Sequence, residues 1–273
     1  MTDTDQRTRE TAARTDARTA AEAYGDAVET LRALSETEWS GPTGCADWDV
    51  RALAGHIVSE AVWFANLTRG VTRHEAPLPA SLYESLKTLP PVELTDRLQQ
   101  AADAIPTEIE AATPADLEEV VDLGWTRMPL WRATFVAMEE GVYHDWDLHV
   151  GRDPGTSIPT PWARALASGM GTFAPLIASP DGISTSPGRY LLRVGDGVGF
   201  MTLTAESSRL TLTPGASGTP DVTVSLMIDQ YVRLIAGQLP LERALQNGSV
   251  TIEGARDTFL GLAGIFRGIG GGS

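Results

Sequence analysis

Two different spacings of apolar residues divide this chain. In the first half they recur every three or four positions, as along one face of a helix. Residues about 8–36 place Tyr24, Val28, Leu31 and Leu34 at that spacing in a stretch rich in Ala, Glu, Arg and Thr. After the turn "SGPTG", Asp47 is positioned to cap a second helix from about Trp48 to Arg69, which Gly70 stops. A third runs from about Val92 to Ala112 behind "LPP", with proline in the first turn, where the missing N–H costs nothing. A fourth begins near Met128 and Pro129 and reaches about Val150, ending at Gly151 and Pro154. Four helices of this length in one segment predict a four-helix bundle.

The second half changes spacing. "RYLLRV", "GFMTLTAE", "RLTLTP" and "DVTVSL" are short, β-branched runs separated by Gly, Asp, Ser and Pro, and the first two flank "GDGVG" as a hairpin would. Helical patterns lie on either side: "PWARALASGMGTFAPLIAS" before, then "MIDQYVRLIAGQ" and "ARDTFLGLAGIF" after. That order predicts an α+β layer with helices on one sheet face. The segment Arg152–Pro161 holds three prolines and marks the boundary. The expectation is therefore a two-domain α+β protein: a helical bundle over 1–155, an α+β domain over 156–268, and a flexible tail over 269–273. No internal repeat is evident.

Composition removes several function classes. The formal charge is −15, with pI near 4.6, and a field of that sign repels a phosphate backbone, so nucleic acid is not expected as a partner. No run approaches membrane-spanning length, and the N-terminus has no apolar core of signal-peptide type. One cysteine, Cys45, excludes an internal disulfide and fits a reducing cytoplasm. Nothing here sets the oligomeric state, monomer or homodimer.

The candidate chemistry centres on "MEEGVYHDWDLHVG", Met138–Gly151. Glu140 and His144 are spaced i, i+4 and project from one helix face. His56, in "WDVRALAGHIVSE", borders the apolar arc of Val50, Leu53, Ile57 and Phe64 and so looks toward the bundle edge. Two helix-borne ligands and a histidine from a facing helix can form a metal site in a bundle core, with two imidazoles and one carboxylate leaving open positions. Spacing alone favours a surface ion pair or a solvated face over a metal site. His74, in "TRHEAP", reads as solvated loop, and His149 as a helix-end cation favoured by the dipole. Asp147 and Glu60, each about one turn beyond a candidate ligand, read either as orienting acceptors or as helix-surface acids. Cys45, ahead of a helix start, reads as a small buried residue in preference to a nucleophile.

"PTGCADWDVRALAGHIVSE" resembles the segment "TPC-x-x-W-x-V-x-x-L-x-x-H" of DinB-like bundles typified by mycothiol-dependent maleylpyruvate isomerase. "EEGVYHDWDLHVG" is similar to that family's "E-x-x-x-H-x-x-D-L", and "GQLPLERALQNGSVTIEGARDTFLGLAGIF" resembles the end of a sterol-carrier-protein-2-like (SCP2-like) domain. The resemblance implies a DinB-like bundle followed by an SCP2-like domain, in an actinobacterial setting. It implies a divalent metal held by His56, Glu140 and His144, zinc first, with nickel or iron as alternatives. It also implies mycothiol or another low-molecular-weight thiol as cosubstrate. A catalytic arginine of the C-terminal domain falls on Arg233 as the candidate, while Gln238 stands where relatives often carry arginine.

The expected activity is thus that of an enzyme using a thiol on a small electrophilic substrate, either a mycothiol S-transferase or a mycothiol-dependent isomerase. Two rival classes stay open. One is a carrier of an apolar ligand with a structural metal. The other is a metal-dependent hydrolase or a non-haem iron oxygenase, since two histidines and one carboxylate also suit Fe(II).

Overall fold

The computed structural model of the chain describes residues 3–70 and 79–266. It divides into two compact units, Met1–Ile158 and Pro159–Ser273.

The first unit is a helical bundle. Its long helices are α1 (Asp3–Arg32), α2 (Val50–Thr68), α4 (Pro91–Ala111) and α6 (Leu130–Val150), with α3 (Pro79–Leu86) and α5 (Pro114–Glu118) as short additions. A 3₁₀ turn, Glu36–Ser40, follows α1, and a small hairpin of β1 (Val120–Asp122) and β2 (Arg127–Pro129) precedes α6. The caps follow local chemistry. Asp49, not Asp47, caps α2, accepting from the Ala52 N–H at 2.8 Å. Asp47 lies too early: the 41–49 segment turns and pairs Pro42 with Asp49 before the helix begins. Proline occupies the first turn of α4.

α1 packs on α6 and α4, and α2 packs on α4 and α6. The α1 face is mostly alanine (Ala13, Ala17, Ala20, Ala23, Ala27, all fully buried), so backbones approach closely. A Cβ on Gly141 of α6 would lie 3.4 Å from the Ala20 carbonyl oxygen, the Ala23 Cβ and the Tyr24 ring. Leu53, Ile57, Leu94, Leu98, Ile105 and Ile109 fill the interior. Each contributes about 1.5–3 kcal/mol through burial. α6 is the central helix. It is buried nearly all round, including Glu139, His144, Asp145 and Asp147, although a helix with so many polar groups would ordinarily turn them to water.

The second unit is an α+β layer. Its five-stranded sheet has the order β5 (Arg209–Pro214), β4 (Gly199–Glu206), β3 (Gly188–Val194), β6 (Val222–Leu226), β7 (Thr251–Gly254). β3 and β6 run parallel and the other pairs antiparallel. β3 and β4 form the hairpin across "GDGVG", with Asp196 and Gly197 at positive φ as a tight turn requires. Register aligns Tyr190 with Leu203 and Val222, and Leu192 with Met201 and Val224, so one face is continuously apolar. Thr211, Thr213, Arg193 and Glu253, on strand positions of the opposite parity, are exposed. α7 (Thr160–Ile177), α8 (Pro180–Thr185), α9 (Ile228–Ile235), α10 (Leu241–Gln246), α11 (Arg256–Leu260) and α12 (Leu262–Ile265) complete the unit; α7 and α8 pack on β5, and α11 on β6. The single helix expected over "ARDTFLGLAGIF" is two, α11 and α12, broken at Gly261.

Candidate metal centre

α2 and α6 bring His56, Glu140 and His144 together inside the first unit. His56 Nε2 and His144 Nε2 lie 3.0 Å apart, and Glu140 Oε2 lies 3.5 Å from the first and 3.2 Å from the second. One ligand atom from each falls within 4.8 Å of the others. Glu140 Oε2 is buried and makes no hydrogen bond of acceptable geometry, although both imidazoles stand at ion-pair distance. A tetrahedral ion with bonds of about 2.0–2.1 Å spaces its ligand atoms roughly 3.3–3.4 Å apart. The observed separations and the unpartnered oxygen fit a divalent ion held by these three side chains.

The surroundings fix the donors. His144 Nδ1 lies 2.9 Å from Asp147 Oδ2, an acceptor-only carboxylate, so Nδ1 carries a proton and Nε2 faces His56 and Glu140. The same Asp147 oxygen accepts the Cys45 thiol at 3.2 Å. Trp48 lies against His56, ring centroids 4.8 Å apart, and stacks with Tyr83 at 6.4 Å.

The local electrostatics separate the acids. Burial pushes Glu140 up, but the His144 and His56 imidazoles at ion-pair distance prevail and hold it well below the usual carboxylate range. Glu139 and Glu60 lie well above that range, first through burial and then through the charge on Glu140. Both oxygens of Glu139 are buried and without a hydrogen-bond partner among the described residues. His144 is pulled down by burial, but Asp147, Cys45 and Glu140 raise it well above its ordinary value. Burial raises the Cys45 thiol against the opposing pull of His144, and the neighbouring Asp147 carboxylate adds to the rise, which favours Cys45 as a thiol and a donor.

The remaining candidates have other settings. His149 sits 3.6 Å from Asp145 and 3.3 Å from the Thr30 hydroxyl, at the end of α6. His74 lies outside the described residues, as does the 269–273 tail. Arg233 is on α9 of the second unit, where its guanidinium donates twice to Asp229, at 2.8 and 3.2 Å. Gln238 follows that helix with its side-chain oxygen buried and unpartnered. Of the two readings open for Asp147 the structure shows the orienting one, beside His144; spacing missed the Cys45–Asp147 contact, between residues 102 apart, and did not consider Glu139, which is buried.

Fold and site together define a two-domain protein: a helical bundle with a His–Glu–His cluster on facing helices, followed by a five-stranded α+β domain. Residues 17–149 match the family model described as mycothiol maleylpyruvate isomerase N-terminal domain, and residues 179–267 match that of the SCP-2 sterol transfer family. Two solved structures share the arrangement of elements. A histidine-to-alanine mutant of mycothiol-dependent maleylpyruvate isomerase superposes with TM-score 0.57 at 17% identity, over 91% of this chain and 92% of its own. Mycothiol-dependent maleylpyruvate isomerase itself gives 0.54 at 17% identity, over 85% and 89%. Comparison with curated proteins finds no match. Among the described residues no helix is long and apolar enough to cross a membrane.

Proposed function

We propose that this protein is a metal-dependent enzyme that uses a low-molecular-weight thiol, mycothiol by analogy with its structural neighbours, on a small electrophilic substrate. The observation that carries the reading is the convergence of two imidazole nitrogens and one unpartnered, buried carboxylate oxygen within 3.5 Å of one another. His56, Glu140 and His144 hold the divalent ion, zinc first, and leave coordination positions open. Bound metal lowers the pKa of a coordinated thiol enough to supply a thiolate nucleophile at neutral pH.

The chain's own residues orient and shield. Asp147 fixes the His144 ring, and the Trp48 ring covers one side of His56. Cys45 is not the nucleophile of this proposal, because its thiol donates to Asp147 and burial keeps it protonated. An external thiol adds to an activated double bond and leaves again in an isomerisation, or displaces a leaving group in a transfer; both use the same site. Arg233 enters as the candidate contact for an acidic substrate, with its Nε and Nη2 donating to Asp229.

The test is to measure bound metal by elemental analysis and then thiol-dependent turnover with mycothiol and a panel of electrophiles. Turnover that needs both metal and thiol is expected. Robust turnover without added or co-purified thiol overturns the reading in favour of a hydrolase or an oxygenase, which oxygen consumption and an iron content tell apart.

A second reading has one observation of its own. In the second unit the side chains of Leu234, Leu239, Leu241, Leu262 and Phe266 border an open pocket of about 230 Å³. A carrier function predicts an apolar ligand extractable from the purified protein, with no bound metal.

A further inference from the structure

One short segment, 42–49, touches both candidate histidines. Its turn is braced internally: the Thr43 hydroxyl lies 2.7 Å from the Trp48 carbonyl and accepts the Cys45 N–H at 3.1 Å, while Pro42 pairs with Asp49. It is then clamped on the end of α6. The Gly44 N–H donates to the Asp147 carbonyl at 2.8 Å, and the Cys45 thiol donates to the Asp147 side chain. The approach is so close that only glycine fits on each side. A Cβ on Gly44 would stand 2.2 Å from Asp147 Oδ1, and one on Gly151 would stand 2.3 Å from the Pro42 carbonyl oxygen. From the same turn, Trp48 lies against His56.

We infer that the Thr43–Gly44–Cys45 turn is a positioning device: it sets the Asp147 carboxylate, which holds His144 by Nδ1 so that Nε2 faces His56 and Glu140. Asp147 and Cys45 are positioning residues, acting through His144. The inference rests on the metal reading only for the purpose of the orientation; the orientation itself is a property of the metal-free protein. The physical reason is that a carboxylate accepting from two donors on one oxygen cannot rotate without breaking both bonds. A metal-ligating imidazole whose other nitrogen is so held loses less freedom on binding.

The experiment has two readouts on the full chain. Nitrogen-15 NMR of the metal-free protein should find the His144 Nδ1–H as a downfield, exchange-protected resonance, whether the ring is neutral or cationic. D147N should lose that protection, and its affinity for zinc, measured against a chelator, should fall on the order of 10–100-fold. C45S keeps a hydroxyl donor and should retain both properties. C45V removes the donor and G44A pushes Asp147 aside, and both should shift toward D147N. An unprotected His144 Nδ1–H in the wild type overturns the inference without any variant, so a D147N that fails to fold leaves it decidable. Unchanged protection and affinity in D147N also overturn it, and wild-type behaviour of both C45V and G44A removes the turn from it. If the wild type binds no divalent ion, the metal reading fails while the resonance still decides the role of Asp147.

Discussion

His56 Nε2 and His144 Nε2 stand 3.0 Å apart, with their rings almost perpendicular, although 88 residues of chain lie between them. Two imidazole lone pairs do not approach so closely unless a proton or a cation lies between them. In the ion-pair reading a proton does, and Glu140 balances its charge. In the metal reading a divalent ion does, and all three side chains are ligands. H56A and H144A separate the two. Each should strip the metal found in the wild type while leaving the helical circular dichroism unchanged, because packing of α1, α2, α4 and α6 holds the bundle. H149A should keep it, since His149 is engaged by Asp145 and Thr30. Unchanged metal content in both H56A and H144A would end the assignment.

E140Q tests the carboxylate at constant shape. If Glu140 only pairs with protonated imidazoles, the substitution changes their titration and nothing else of consequence. If it is a ligand, metal affinity should drop by more than the roughly 10–100-fold typical of groups that merely orient ligands. Isothermal titration of zinc into the metal-free variant gives the answer. A wild-type affinity would remove Glu140 from the site.

The long helices were legible because each keeps its apolar spacing over about twenty residues. The short elements were not. β1 and β2 have three residues each, too few to show alternation, and β7 is an edge strand with no buried face, so its sequence carries no pattern. α1 extends back to Asp3 through Asp3, Thr4, Asp5, Gln6 and Arg7, which show no apolar periodicity. The cap of α2 was displaced by two residues because Asp47 and Asp49 are equally good caps, and only the turn ahead of the helix decides between them.

The convergence of His56, Glu140 and His144 was legible through spacing joined to the family motif, and so was Asp147 as one of two readings, whereas the part of Cys45 was not. Cys45 and Asp147 are each ordinary in isolation, and their hydrogen bond is a product of the fold. Glu139 shows the limit more sharply. A carboxylate is ordinarily turned to water, although Phe135, Val136, Val142 and Tyr143 share its helix face at i±3 and i±4. α6 is covered on nearly every side, and that is a property of its neighbours.

Gly182 makes a stability prediction for the second unit. A Cβ there would lie 1.8 Å from the Gly264 carbonyl oxygen, and backbone cannot yield as a side-chain tip does. G182A should separate α8 from α12 and destabilise this unit by roughly 1–3 kcal/mol, the usual cost of overpacking. Denaturant unfolding should show the loss, with zinc binding at the first unit retained. Wild-type stability would mean that the two short helices pack more loosely than the structure has them.

Asp16 makes the last prediction, which concerns pH. It lies on α1, 7% exposed, and burial raises its carboxyl from 3.8 to about 7, with a nearby Thr134 hydroxyl opposing the shift. The folded state therefore holds this proton more tightly than the unfolded chain does. The stability that goes with the bound proton is fully present below about pH 4 and is lost as pH rises toward 7 and through it. At about 1.4 kcal/mol per pKa unit, the loss has a ceiling of roughly 4 kcal/mol. D16N keeps the shape and cannot ionise. It should match the wild type below about pH 4, exceed it progressively between about pH 4 and 7, and keep a constant advantage of roughly 4 kcal/mol at most by pH 8. Urea unfolding of both proteins across that range measures the difference directly. Parallel curves would place the Asp16 carboxyl in contact with water and remove the buried acid from this part of the bundle.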